Sequence, residues 1–149
     1  MAYEFTVRHR VEFSETDAAG IVHFSNFFLY MESAEHAFYR SLGFSAMLGE
    51  YRQPEGFPRV HAECDYFIPL RFEDEVEVQL LVREKRPRVV SYLFRFWKSG
   101  TQERVEVARG SITVVYVTSH DGVFKAVPMP EELAAKIEVA PAELLGLDP

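Results

Sequence analysis

The sequence predicts an α+β fold from three observations. Apolar and polar residues alternate near the start, in the manner of a strand. From Asn26 to Leu42 the apolar residues recur at three and four, which is a helical period. Four long strand-like stretches then follow one another through short connections. One sheet with one buried helix must curve around that helix to cover it.

The first strand is predicted over 3–13, with Phe5, Val7, Val11 and Phe13 roughly on one face. In the helix, Phe27, Tyr30, Met31, Ala34, Ala37, Phe38 and Leu42 supply the apolar face. Glu32, Glu35, His36 and Arg40 form its only polar stripe, with Glu32 and His36 spaced as a local surface pair. Ser25 or Asn26 can cap its start and Gly43 can end it. Residues 44–57, with Gly49, Pro54 and Gly56, read as loop. The remaining strands are predicted over 58–68, 75–85, 88–98 and 104–118, separated by "PLRFED", "KRPR" and "KSGTQ". Short connections between long strands imply antiparallel pairing. A last short helix is predicted from about Pro130, since proline suits the first helical turn.

Composition limits the function classes. The 149 residues are read as one domain, 48% hydrophobic and 26% charged, with 13 phenylalanines for an aromatic core. A formal charge of −7 argues against general nucleic-acid binding, which needs cations to neutralise phosphates. The opening "MAYEFTVRHRVEF" lacks the apolar stretch of a secretory signal. No apolar run approaches the ~20 residues that span a bilayer. With Cys64 as the only cysteine, a cytoplasmic protein is expected, without disulfide or membrane contact. Metal-ligand spacing, phosphate-binding glycine loops and a G-x-S-x-G motif are all lacking, so neither metal nor cofactor is predicted. Cys64 reads as a small buried hydrophobe.

Asp17 stands out. It lies in about a dozen residues between strand and helix, ahead of a helix start whose free N–H groups favour negative charge. From the residues alone it is either a turn or cap aspartate, or a catalytic carboxylate. His23 is similarly open between wall residue and base.

"VEFSETDAAGIVHFSNFFLYME" resembles the active-site segment of hot-dog-fold acyl-CoA thioesterases of the 4-hydroxybenzoyl-CoA thioesterase type, with their D-x-x-G-[IV]-V followed by aromatics and a long helix. "AECDYFIPLRFEDEVEV" is similar to the family's Y-x-x-P-x-R-x-x-D strand pair. The resemblance spans essentially the whole chain, through "VPMPEEL". It implies a hot-dog fold, five antiparallel strands wrapped around a central helix, and hydrolysis of an acyl-CoA to free acid and CoA. By position, Asp17 would be the catalytic carboxylate, and the Phe24 backbone N–H would polarise the thioester carbonyl. His23 is kept as a third candidate, although relatives often carry Trp-Tyr or Tyr-His at 23–24. A homodimer or homotetramer is implied, with Arg59 to Phe67 as the dimer-edge strand. Lys85, Arg86 and Arg88 of "REKRPR" lie at a predicted turn where they could meet the CoA phosphates. Two other classes remain: a hot-dog hydratase or dehydratase, in which His23 or His61 would have to meet Asp17, and a non-catalytic acyl-CoA binding module.

Overall fold

The computed structural model describes residues 2–45, 48–50, 53–99 and 103–146. Strand β1 (Glu4–Arg10) leads through a single 3-10 turn at Phe13–Glu15 into helix α1 (Asn26–Ser41). Two short strands follow, β2 (Leu48–Glu50) and β3 (Gln53–Gly56), and then β4 (Arg59–Tyr66), β5 (Glu75–Lys85), β6 (Val89–Lys98) and β7 (Val105–Val115). The short strands β8 (Val117–His120) and β9 (Val123–Ala126) precede helix α2 (Glu131–Ala134). The main sheet has five strands in the order β1-β5-β6-β7-β4, all antiparallel. The expected hot-dog architecture is therefore present, with α1 packed on one face of the sheet.

Helical spacing drives the packing. Phe27, Tyr30, Met31, Ala34 and Phe38 are buried on α1. Alternate β6 residues Val90, Tyr92, Phe94 and Phe96 belong to the same core, because successive strand side chains point to opposite faces. Leu81 and Leu93 fall on the other face, where they pack with Ala140 and Leu144 of the C-terminal segment.

Helix and sheet come unusually close at Gly110 of β7. A β-carbon there would stand 2.7 Å from Met31 Sδ and 2.9 Å from the Glu63 carbonyl oxygen. The thioether could move aside, but the strand backbone could not.

Three expectations need correction. Within residues 44–57, read as loop, the described part contains β2 and β3. They join β8 and β9 in a second four-stranded sheet, ordered β2-β3-β8-β9. The predicted strand 104–118 likewise divides, with Tyr116 separating β7 from β8. "QPEG" has no alternation to betray a strand, and its order comes from pairing with β8. Third, Glu35 is not a surface residue. Only 2% of its surface is exposed, and Arg59 of β4 grips both carboxylate oxygens at 2.8 and 3.0 Å. Burial pushes the Glu35 carboxyl up from its usual range, against the pull of Arg59. Glu32 ion-pairs with Arg59 at 3.5 Å, where a pairing with His36 had been expected.

The contact at Gly110 is testable. Gly110→Ala should lower stability by about 1–3 kcal/mol, the usual cost of overpacking a core. A urea midpoint equal to that of wild type would show that helix and sheet can separate without cost.

Candidate active site

The segment between β1 and α1 is a small knot of backbone hydrogen bonds. Its entry is fixed where Val11 N–H donates to the Asp74 carbonyl and Glu73 N–H donates back to Val11. Thr16 and Val22 then form an isolated antiparallel bridge, so 16–22 is a miniature hairpin. At its tip Asp17 N–H donates to the Ile21 carbonyl, and Gly20 N–H donates to the Asp17 carbonyl. Gly20 has φ +79°, a conformation that a side chain resists. Asp17 Oδ1 accepts the Ala19 N–H at 2.8 Å, which is an Asx turn. The turn reading and the site reading of Asp17 are thus compatible: one oxygen holds the turn, and Oδ2 has no partner among the described residues.

Glu15 closes the knot. Its backbone carbonyl accepts the His23 N–H at 2.9 Å and the Asn26 Nδ2–H at 2.8 Å. Its carboxylate accepts the Glu12 N–H at 2.7 Å and meets His9 Nε2 at 2.8 Å. Burial pushes this carboxyl up, but the Glu12 and His9 hydrogen bonds and the His9 charge outweigh it, leaving it below the usual range.

Helix α1 begins without a side-chain cap. Ser25 turns its hydroxyl to His23 Nδ1, and Asn26 turns its amide to Glu15, so neither fills the capping role expected of it. The first amides bond back through a tight turn: Asn26 to the His23 carbonyl, Phe27 to that of Phe24, Phe28 to that of Ser25. The Phe24 N–H has no acceptor among the described residues. It lies one residue before the N-cap Ser25, near the positive end of the helix.

Asp17 and Phe24 line one cavity of about 400 Å³. Its other walls are Ile21, Val22 and Phe27, together with Tyr66, Phe67, Ile68, Pro69 and Leu70 from the end of β4 and the following loop. That loop is pinned to the knot by the Val22 N–H, which donates to the Leu70 carbonyl. Apart from Asp17 and the Tyr66 hydroxyl, the lining side chains are apolar. Sequence reasoning had not named residues 66–70 as a wall, although Tyr66 and Pro69 stand in the Y-x-x-P-x-R-x-x-D motif.

Other candidates lie elsewhere. The His23 ring is exposed, engaged by Ser25, and not among the cavity-lining residues. His61 sits on the exposed edge strand against Glu63 at 3.6 Å. Lys85 donates to the carbonyls of Ala134 and Ile137, at 2.5 and 2.8 Å, and so fastens the end of α2. Arg86 pairs with Glu84 at 2.8 Å, while Arg88 has no ion pair among the described residues. Residues 85–88 occupy the far end of β5 from Asp74 and the knot. Along an 11-residue strand the separation is roughly 30 Å. No group of three or more potential metal-ligating side chains is assembled among the described residues.

The lowered Glu15 carboxyl has a definite signature. A depressed folded pKa stabilises above the unfolded value, about 4.3, and that contribution is lost as pH falls through the folded value. Glu15→Gln should therefore be less stable than wild type at pH 7, with the gap closing below about pH 4. A gap that stays constant from neutral to acidic pH would count against the carboxylate.

Comparison with known proteins identifies the family and the fold. Residues 11–137 match the thioesterase-like superfamily. A protein of Aquifex aeolicus (strain VF5), provisionally described as an esterase, is 38% identical over 109 residues, 72% of this chain and 80% of its own. A 1,4-dihydroxy-2-naphthoyl-CoA hydrolase of Gloeothece citriformis (strain PCC 7424) is 31% identical over 115 residues, 73% of each chain. The 4-hydroxybenzoyl-CoA thioesterase of Pseudomonas sp. strain CBS-3 superposes with a TM-score of 0.76 at 17% identity, over 91% of this chain and 99% of that one. The cavity-lining residues and four of the five strands of the main sheet, β4 to β7, lie within the matched residues, and the chain belongs to the thioesterase-like superfamily.

Proposed function

We propose that this protein is an acyl-CoA thioesterase in which Asp17 and the Phe24 N–H act on one carbonyl. The observation that carries the reading is that Asp17, with one carboxylate oxygen unpartnered among the described residues, and Phe24, whose backbone N–H has no acceptor among them, line the same apolar cavity. Membership of a thioesterase-like family and relatives named as an esterase and a CoA hydrolase support it.

Two routes use these parts. In one, the Asp17 carboxylate attacks the thioester carbon, the C–S bond breaks, CoA leaves as thiolate, and water hydrolyses the resulting mixed anhydride. In the other, Asp17 takes a proton from water as that water attacks, and the proton passes to the departing thiolate. Both routes place negative charge on the carbonyl oxygen, where the Phe24 N–H would stabilise it; such a donor commonly contributes ~3 kcal/mol. The acyl portion is read as apolar, alkyl or aryl, because Ile21, Phe27, Phe67 and Ile68 offer it no polar partner. The hydratase alternative loses ground, since neither His23 nor His61 is among the residues that line the cavity with Asp17. The reaction is assigned to the cytoplasm, where a lone thiol such as Cys64, pushed up to about 11 mainly by burial, stays reduced.

Asp17→Asn tests the central claim. The amide oxygen can still accept the Ala19 N–H, so the turn should survive and the melting temperature should barely move. Loss of the base or nucleophile should lower kcat/KM at least about a hundredfold. Retention of more than about a tenth of wild-type kcat/KM, a change of less than about 1.4 kcal/mol in the barrier, would overturn the assignment.

Assembly enters through the edge strand. β4 pairs on one side only, with β7, and its Val60 and Ala62 are exposed. Unpaired edges invite pairing, and a dimer joined along β4, or a tetramer built from two such dimers, is part of the proposed reading. The turn with Lys85, Arg86 and Arg88 lies roughly 30 Å along β5 from Asp74 and the knot, so in this reading it would hold the CoA phosphates of another subunit's substrate. Arg86→Ala with Arg88→Ala should raise KM for acyl-CoA and leave kcat nearly unchanged, the signature of lost uniform binding. The effect should vanish for a pantetheine thioester that lacks the nucleotide. A fully active monomer at low micromolar concentration would remove this part of the reading.

A further inference from the structure

Tyr66 is the last residue of β4, and the chain beyond it is fastened at once. The Phe67 and Ile68 N–H groups both donate to the Val107 carbonyl, at 2.8 and 3.1 Å. The Tyr66 ring stands edge-on to Phe27, with centroids 5.0 Å apart and planes at 81°. Its hydroxyl donates to the Phe24 carbonyl at 3.0 Å. A side chain anchored on the sheet thus reaches the backbone of the very residue whose N–H has no acceptor.

We infer that Tyr66 is a positioning residue for the oxyanion donor: its hydroxyl holds Phe24 in the conformation that aims the Phe24 N–H into the cavity. The inference rests on the reaction proposed above. Two peptide units flank Phe24, and each is planar with its C=O and N–H pointing in opposite directions. In the first, the His23 carbonyl is turned toward the helix to accept the Asn26 N–H at 3.0 Å, so the Phe24 N–H points away from the helix. In the second, the Phe24 carbonyl accepts the Phe27 N–H at a long 3.3 Å and the Tyr66 hydroxyl at the better 3.0 Å. Without Tyr66 that second unit keeps two long bonds, the one from Phe27 N–H and the one its own Ser25 N–H donates to His23 Nδ1 at 3.3 Å. Phe24 cannot hold itself by burial, since 61% of its surface is exposed.

Tyr66 acts through Phe24 and not as an acid. Its proton is committed to the Phe24 carbonyl, and burial, aided by nearby Cys64, pushes the phenol up to about 12. The hydroxyl therefore remains a donor throughout the range in which a thioesterase is assayed.

Tyr66→Phe isolates the hydroxyl, because the ring and its contact with Phe27 are retained. kcat should fall about tenfold or more, as small misplacements of catalytic groups do, with KM within about twofold of wild type and an unshifted pH profile. The fall should stop short of the hundredfold to thousandfold typical of losing an oxyanion donor outright, about the upper limit for a group that acts indirectly. A second measurement reads the donor itself. The infrared band of a carbon-13-labelled thioester carbonyl should move to lower frequency on binding to the Asp17→Asn protein. It should move less when Tyr66→Phe is added. Wild-type kcat and an unchanged band in the Tyr66→Phe variants would overturn the inference. So would a joint fall of kcat, KM performance and melting temperature, which would make Tyr66 a wall residue, or a fall in kcat with an unchanged band, which would make it a proton donor. A wild-type protein that hydrolyses no acyl-CoA at all would instead overturn the proposed function, and this inference with it.

Discussion

The candidate site depends on one backbone carbonyl. Glu15 O accepts both the His23 N–H and the Asn26 side chain, and so ties the chain before Asp17 to the residues that start α1. That junction joins the miniature hairpin directly to the start of the helix. The junction also explains why the helix carries no side-chain cap. Asn26, the residue suited to capping, spends its amide on Glu15, and Ser25 spends its hydroxyl on His23. A conventional cap stabilises a helix by about 1 kcal/mol. Here that contribution is forgone, and the first helical amides bond back to the His23, Phe24 and Ser25 carbonyls instead.

Close packing makes such precision possible. Gly110 lets α1 lie directly on β7, with Met31 where a side chain would otherwise stand. On the other flank Glu35 and Arg59 join the same helix to the edge strand. A buried pair of this kind is poor evidence for stability, because removing charge from water costs several kcal/mol per ion, to that order. Its effect is better described as registry. Glu35 is buried and Arg59 holds both of its oxygens, so the pair ties β4 to α1 at a defined position.

Legibility followed the sequence distance of each interaction. Helix α1 could be read because its apolar residues repeat at three and four, and the β5–β6 hairpin because "KRPR" interrupts two strand patterns. The segment 15–24 could be read as a site because its turn, acid and aromatics are contiguous. Glu35 could not, since a glutamate reads as surface until a partner 24 residues away turns inward. The second sheet was invisible for a similar reason: "QPEG" becomes a strand only beside β8. The cavity wall at 66–70 arrives from β4 through a crossing of the fold, and only its motif hinted at a role. The basic turn is legible only in part. Its composition suggests phosphate, but its sequence does not show that Lys85 also binds the carbonyls at the end of α2, or that the turn lies at the opposite end of β5 from the knot.

β4 therefore holds α1 and its approach at two points. Arg59, at its start, holds the middle of α1 through Glu35, and Tyr66, at its end, bonds Phe24, two residues before α1. Seven residues apart on one strand, these anchors are spaced by about 23 Å of extended chain. Any tilt of β4 would act on both at once, tightening one as it loosens the other. The strand so loaded is also one of the two edge strands of the main sheet. A second strand laid along that edge would restrain the tilt without touching either anchor. In such an arrangement the geometry at Phe24 would be set partly by whatever pairs with β4, and assembly and chemistry would share one mechanical element.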